Sequence, residues 1–475
     1  MEPDALRFGG GLGSSLIHPV AALMLIFAVA FMLFLPRNRV LVPFLLMVFL
    51  QPLGQVIVAG GIHFPLSRIV FLAGLLKLAI AKAPSKKGRL AGGFNPLDKA
   101  CIGCALSYAA AFVLLYGNSA ALINRLGYLV DSLGAYFLLR FLVQDEADVR
   151  RVIKLFALIA VVAAAGMLNE QRSGQDVFGM FGGHRSDGLS LSVSAVRDGK
   201  IRSQGPFRIY LDAGVFGATL LPFFLWLWQD RRSRTVAAMG IIASAVMAWT
   251  SSSSTPLMAY AGTVGALALW RFRNQMRPIR WALVLTLVTL HLVMKAPVWA
   301  LIGRVDLTGS SSGYQRFQLI DQAIRHFGDW WLLGAKDYDK WGWDSWDLTD
   351  EYVLCALQGG LATLAFLIAM ITQGFGKIGR ARKLVSGDRG QEWGLWCLGA
   401  ALFAYVMAFF GIGMNSQMQV EWFALFAIIS ASTFNAKQVV RPSATTSNDW
   451  ELVAMPIGDS HFYQSEVSTG GTFRS

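Results

Sequence analysis

Arginines, hydroxyls and carboxylates gather at three places along the chain where their spacing could handle a phosphate or a sugar. The first is Arg202-Ser203-Gln204-Gly205-Pro206-Phe207-Arg208, directly before a long apolar run. Pro206 presets the first turn of a helix there. Free N–H groups at such a helix start, beside Arg202 and Arg208, would make an anion site. The same two arginines could instead snorkel to lipid headgroups. The second place is Ser251-Ser252-Ser253-Ser254-Thr255-Pro256, a very short turn between two apolar runs. Its hydroxyls would cap helix ends or bond a polar ligand.

The third place is denser. Ser310-Ser-Ser-Gly-Tyr314-Gln-Arg316-Phe317 leads into 318–327, which reads as an amphipathic helix with Phe317, Ile320, Ile324 and Phe327 on its apolar side. Tryptophans follow at 330, 331, 341, 343 and 346, interleaved with Asp329, Asp337, Asp339, Asp344 and Asp347. Aromatic rings stack on sugar C–H faces while carboxylates accept hydroxyl hydrogens, so Trp341, Trp343, Trp346, Asp344 and Asp347 are candidate sugar contacts. An interfacial aromatic belt would also enrich Trp at this depth. The stretch ends in Asp347-Leu-Thr349-Asp350-Glu351-Tyr352 at the mouth of an apolar run. Two acids there suit a helix N-terminus. Either Asp350 or Glu351 could equally act as a general base toward a hydroxyl.

What must position these groups is a bundle of membrane helices. The chain has 475 residues, of which 55% are hydrophobic and only 15% charged, with mean hydropathy +0.48. A water-facing surface cannot be coated with so few polar residues, which excludes an ordinary cytosolic enzyme and a disordered or fibrous chain. Apolar runs near 19–35, 41–59, 66–82, 98–116, 121–143, 152–168, 206–228, 235–250, 256–270, 281–300, 352–373, 393–411 and 419–435 predict an all-α polytopic protein of about 12–13 transmembrane helices. The connecting segments alternate. One set carries at least two basic residues each, while His63–Pro65, Gly117–Ala120, Ser251–Thr255 and Gly413–Gln417 carry none. That asymmetry places the basic set, and the C-terminus, on the cytoplasmic side.

The chain accordingly divides into N-terminal spans (1–168), a first long outer loop (169–205), four central spans (206–300), a second long outer loop (301–351), C-terminal spans (352–435) and a polar cytoplasmic tail (436–475) expected to be disordered. The net charge of +13 is read as orienting charge rather than as a nucleic-acid surface. Part of it escapes that reading: Arg172, Arg185, Arg197, Lys200, Arg202, Arg304, Arg316, Arg325, Lys336 and Lys340 fall in the two long outer loops. Arg68, Asp131, Arg140 and Asp212 are ionisable residues inside spans and imply paired or cavity-lining roles. Cys101, Cys104, Cys355 and Cys397 sit in apolar stretches and suggest neither a disulfide framework nor a metal site. No cleavable signal peptide is evident, and no cofactor is implied.

A basic R-x-x-G before a span, a serine-rich turn two spans later and one long outer loop closing on a polar motif together resemble the O-antigen ligase and polysaccharide polymerase superfamily of bacterial inner membranes. The resemblance covers roughly Gly166–Thr372, through Arg202-Ser-Gln-Gly-Pro-Phe, Tyr314-Gln-Arg316, Leu333-Gly334 and Glu351-Tyr352…Gly359-Gly360-Leu361. It implies transfer of a glycan from an undecaprenyl-pyrophosphate carrier to an acceptor glycan on the periplasmic side, without a metal. In that reading Arg202 holds the pyrophosphate, with a chain-length regulator or export protein as a further partner.

Two family hallmarks are replaced. Ligases carry a second arginine in the turn that here reads Ser253-Ser254-Thr255-Pro256, and a His-Asn-x-Tyr where this chain reads Thr349-Asp350-Glu351-Tyr352. Arg208, Arg304 or Arg316 could supply the charge, and Asp350 or Glu351 the base. The resemblance therefore favours a polymerase of exopolysaccharide or O-antigen repeat units over a ligase. A lipid-linked sugar transporter and a non-catalytic subunit of an export complex are the other readings. A transporter should show an internal repeat with interrupted helices near the midplane, and none is visible.

Overall fold

A computed structural model describes residues 15–80, 89–182, 190–197, 199–304, 312–342 and 347–440. The chain is a helical membrane protein with no closed sheet among the described residues. Its helices are α1 (Pro19–Phe34), α2 (Arg37–Leu50), α3 (Leu66–Ile80), α4 (Pro96–Tyr116), α5 (Ser119–Leu142), α6 (Glu146–Ser173), α7 (Tyr210–Leu227), α8 (Arg234–Thr250), α9 (Ser254–Ala268), α10 (Met276–Val293), α11 (Ser312–Arg325), α12 (Glu351–Leu384), α13 (Arg389–Ala408) and α14 (Ser416–Val440). Five of them, α4, α6, α7, α10 and α12, are long and apolar enough to cross a membrane. Asn95, Asn118, Asp145, Asp350 and Asp388 cap helix starts with side-chain oxygens, which satisfies otherwise orphaned N–H groups.

The expected span 41–59 is corrected. Its helix ends at Leu50, and Val56–Ala59 pairs antiparallel with Ile62–Pro65. Gln51-Pro52 breaks the helix, and Gly60 and Gly61 adopt φ of 59° and 76°. Two positive-φ glycines make the tight turn whose twist matches a hairpin. The expected span 352–373 is also too short, because α12 continues to Leu384.

Small residues bring the central helices together. A Cβ on Gly217 of α7 would lie 2.7 Å from the Ser244 carbonyl oxygen of α8, and one on Gly214 would lie 2.6 Å from Ser251 Oγ and the Pro256 ring. Helices packed without a water-driven term rely on such close approach. Phe49, Phe156, Phe207 and Phe216 fill the adjoining core, with Phe207 and Phe216 ring centroids 4.9 Å apart. The ionisable residues expected inside spans find partners. Arg68 meets Asp131 at 2.7 Å, and Arg140 meets Asp98 at 3.0 Å with both side chains fully buried.

The helix α12 is broken at Gly360, where φ is 70° and ψ −177°. The break leaves the Leu357 carbonyl and the Leu361 N–H without helical partners. They are taken by the long loop: Ala335 N–H donates to Leu357 O and Leu361 N–H donates to Trp331 O, both at 2.8 Å. Gly334, with φ of 91°, lets the loop backbone come this close, since a Cβ there would lie 2.3 Å from Leu357 O. Non-helical backbone inside a membrane bundle survives only where such partners are supplied.

Candidate functional site

The segment after Arg202 is held by a carboxylate rather than left open. The hairpin of β3 (Ala195–Arg197) and β4 (Lys200–Arg202) delivers Arg202 to the head of α7. Glu170, in the last turn of α6, accepts from the N–H groups of Gln204 and Gly205, each at 2.9 Å, and from Ser194 Oγ at 2.8 Å. Ser203 Oγ donates to Gln171 at 3.0 Å, and the Ser203 N–H donates to Thr250 O at 3.1 Å. Gln417 Nε2 holds the Pro206 carbonyl at 2.9 Å. The expected anion site at a helix starting on Pro206 is thereby corrected: α7 starts at Tyr210, and the N–H groups just before Pro206 bind Glu170.

Arg202 itself is buried, donates from Nη1 to the Tyr210 hydroxyl at 2.7 Å, and lies over that ring at 4.6 Å from the centroid. Nearby, Asp176 accepts from Gln204 Nε2 at 3.2 Å, and burial, with Glu170 beside it, pushes its carboxyl up to about 7.

The serine-rich turn, the loop helix and the start of α12 converge beside this loop. The Ser252 backbone has φ of 45°, and Ser253 at the N-cap of α9 makes no side-chain cap bond, so capping does not account for that hydroxyl. Thr255 Oγ1 donates to Gly411 O at 3.2 Å and accepts from Arg316 Nη2 at 2.6 Å. Arg316 comes from α11, and its Nε is buried with no partner among the described residues. Gly411 makes room for it, since a Cβ there would lie 2.8 Å from that Nε. Burial pulls the Arg316 guanidinium below the ordinary arginine value, while Asp350 and Tyr210 act on it in the opposite sense.

The bounds expected for the loop helix are corrected as well. α11 spans Ser312–Arg325 instead of 318–327. It buries Arg316, Leu319 and Ala323, leaving Ile324 and Phe327 about half exposed. Exposed apolar side chains on that side are what a lipid interface would cover.

Asp350 is fully buried. Oδ1 accepts from the Val353 N–H at 3.0 Å as a helix cap, but Oδ2 is buried with no partner among the described residues. Burial pushes this carboxyl up to about 7, against the lowering pull of the Val353 and Tyr352 backbone and of Arg316. Glu351 is committed elsewhere. Oε2 accepts from the Met414 N–H at 2.6 Å and Oε1 from Cys355 Sγ at 3.3 Å. It therefore anchors the segment before α14. Asn415, in that segment, donates to both carboxylate oxygens of Asp212 at 3.1 and 2.9 Å.

Of the expected residues, Arg316 meets the serine-rich turn and Asp350 lies within its electrostatic reach; Arg202 is tied to Tyr210, which also acts on Arg316, while Glu351 turns to Met414 and Cys355. Arg208 is exposed, within electrostatic reach of Asp212. Arg304 is exposed at the end of the 3₁₀ segment Val298–Arg304 and makes no hydrogen bond to the buried group among the described residues. Trp341 stacks on His326 with centroids 4.4 Å apart and planes 5° from parallel, which uses one of its two faces. Asp347 is half-buried. Trp343, Asp344, Trp346, Arg185 and the tail from 441 lie outside the described residues.

Glu170, Tyr210, Gly411, Asn415 and Gln417 escaped sequence reasoning. The one available signal was an acid at 170 closing a long apolar run. No protein-family model matches the chain, and no curated protein is similar to it in sequence.

Proposed function

We propose that the protein is a glycosyltransferase of a bacterial inner membrane, polymerising undecaprenyl-pyrophosphate-linked oligosaccharide units on the periplasmic side without a metal. The observation that carries this reading is Arg316 lodged against Thr255, beside the unpartnered Asp350 Oδ2 and the Arg202–Tyr210 pair. Two buried guanidiniums next to a carboxyl near neutrality form a donor–acceptor set for displacement at a sugar–phosphate bond. Asp350 takes the proton of an acceptor hydroxyl. The acceptor oxygen forms a bond to the anomeric carbon as the carbon–oxygen bond to pyrophosphate breaks. The bonding electrons leave with the pyrophosphate, whose charge Arg202 and Arg316 neutralise. A single displacement of this kind inverts the anomeric carbon.

The resemblance in the sequence supports the same reading. Arg316 meets the turn at the position where the related ligases carry their second arginine, and Asp350 stands within the motif that holds their histidine. With spans that alternate as the loop charges require, both long loops face the periplasm.

The test is reconstitution of the purified protein with its lipid-linked repeat unit. A ladder of longer glycans is expected from wild type, and none from Arg202→Ala, Arg316→Ala or Asp350→Asn. Transfer of one unit to a lipid A core without a ladder would reassign the protein as a ligase. An undiminished ladder from Arg202→Ala would overturn the assignment of Arg202 to pyrophosphate.

A further inference from the structure

Arg125 is a buried cation without an acid beside it among the described residues. It lies in the second turn of α5, 7% exposed, with its guanidinium carbon 3.5 Å from the Phe112 ring centroid, 4.4 Å from Tyr108 and 5.8 Å from Tyr128. Its hydrogen-bonding neighbours are neutral. Gln358 Oε1 stands 3.5 Å from Nη2, and the same oxygen accepts from the Tyr108 hydroxyl at 2.5 Å. Arg125 Nε is buried with no partner among the described residues.

Several other basic side chains on the helices have an acid or carbonyls beside them. Arg37 has Asp148 at 3.1 Å, Arg68 has Asp131 at 2.7 Å, Arg140 has Asp98 at 3.0 Å and Arg382 has Glu392 at 2.9 Å. Lys77 donates to the Leu33 and Leu35 carbonyls at 2.8 and 3.0 Å. A charge taken out of water needs such a partner. Aromatic faces attract the guanidinium but leave its N–H groups unanswered.

The position of Arg125 is informative too. It stands six residues into α5, about 9 Å from the start of that helix. Lys336 of the long loop sits 5.3 Å from the centroid of the Tyr116 ring at the same end of the bundle. Tyr108 and Tyr128, which stack on Arg125, also line a cavity of about 60 Å³ that reaches Glu351, Cys355 and Gln419. That volume is several times what one water molecule needs.

We propose that Arg125, with the Tyr108 hydroxyl and Gln358, forms a second oxyanion site that holds the phosphate of an amphipathic ligand between α4, α5 and α12. The planar guanidinium fork matches phosphate oxygens, and the aromatic walls suit the apolar part that carries them. On the function proposed above, the ligand is the acceptor, itself carried on polyprenyl pyrophosphate and approaching from the Glu351 side while the donor occupies Arg202 and Arg316. A bilayer phospholipid headgroup offers the same chemistry.

Native mass spectrometry of the full chain released from detergent, titrated with undecaprenyl pyrophosphate or with phosphatidylglycerol, separates these sources. Wild type is expected to retain two undecaprenyl pyrophosphates. Arg125→Gln should retain one, with the second binding at least tenfold more weakly. Gln358→Glu keeps the acceptor for Tyr108 and sets a carboxylate against Arg125, so it should expel the same ligand while the fold is kept or strengthened. It thus reads the site even where Arg125→Gln fails to fold. Loss of phosphatidylglycerol alone in both variants, with no undecaprenyl pyrophosphate held by wild type, leaves the oxyanion site standing and removes the polymerase reading. Unchanged retention of both lipids in the two variants overturns the site, as does binding of neither lipid to wild type.

Discussion

Asp350 has two oxygens in different situations, and that difference is what gives it chemistry. A helix cap explains Oδ1 alone; Oδ2 is buried, within electrostatic reach of Arg316, without a donor among the described residues. With its carboxyl raised to about 7 by burial, it must be deprotonated to act as a base. Activity should therefore rise with pH and level off above about 7. Asp350→Asn should lower the plateau rate by ~10²–10⁴-fold and flatten the rise with pH, and measuring ladder formation from pH 5 to 9 checks both. Stability should run the other way. The folded carboxyl holds its proton more tightly than the unfolded one, so its contribution is complete below about 4 and is lost as pH rises through about 7. Arg316 lowers the Asp350 value by its charge. Arg316→Gln should therefore move the midpoint of the pH–rate profile upward while lowering the plateau by ~10²–10³-fold, the usual cost of one stabiliser of developing charge. A lowered plateau with an unmoved midpoint would separate Arg316 from Asp350.

At the scale of elements, the site depends on a loop docked into a broken helix. Gly360 has a backbone conformation that only glycine adopts without strain of ~1–3 kcal/mol, and a Cβ there would lie 2.4 Å from the Leu332 carbonyl oxygen. Gly360→Ala should therefore undock 331–335 and release α11 with Arg316. The expected result is protease cleavage within the long loop and loss of the ladder, with the bundle still helical by circular dichroism. The approximate places of the helices were legible because apolar runs between polar punctuation dictate them. The hairpin at Val56–Pro65 was not, since an alternating Val/Ile run beside a span has the same hydropathy as its continuation. The rotation of α11 was also hidden. Periodicity marks Phe317, Ile320, Ile324 and Phe327 as one apolar side without saying what covers it, because lipid is as good a destination for apolar side chains as the protein core. The buried face is instead set by Arg316, Thr255 and Gly411, residues brought together from distant parts of the chain. Arg202 and Asp350 could be read as chemical groups from type and setting. The Tyr210 partner of Arg202, the hold of Glu170 on Gln204 and Gly205, and the orphaned Asp350 oxygen required the fold.

For the molecule as a whole, the exposed surface says which solvent surrounds it. None of the α10 residues is buried, and Trp281, Leu285 and Leu292 are 65%, 67% and 77% exposed. In water such a helix would be a large aggregation surface. In hydrocarbon it is an ordinary lipid-facing span, and its eighteen residues at 1.5 Å each reach about 27 Å. The two environments respond oppositely to one charge. Leu285→Arg lies near the middle of α10, where a charged side chain raises the insertion free energy by ~2.5–3.5 kcal/mol. The variant should therefore lose membrane integration of α10 in a glycosylation-reporter insertion assay. Arg280→Leu, at the end of the helix where snorkelling already satisfies the charge, should leave integration unchanged. Failure of the wild-type helix to integrate, leaving Leu285→Arg without effect, would place α10 on a watery surface. Only three of these helices, α7, α8 and α9, would then cross between the two long loops, which would fall on opposite faces.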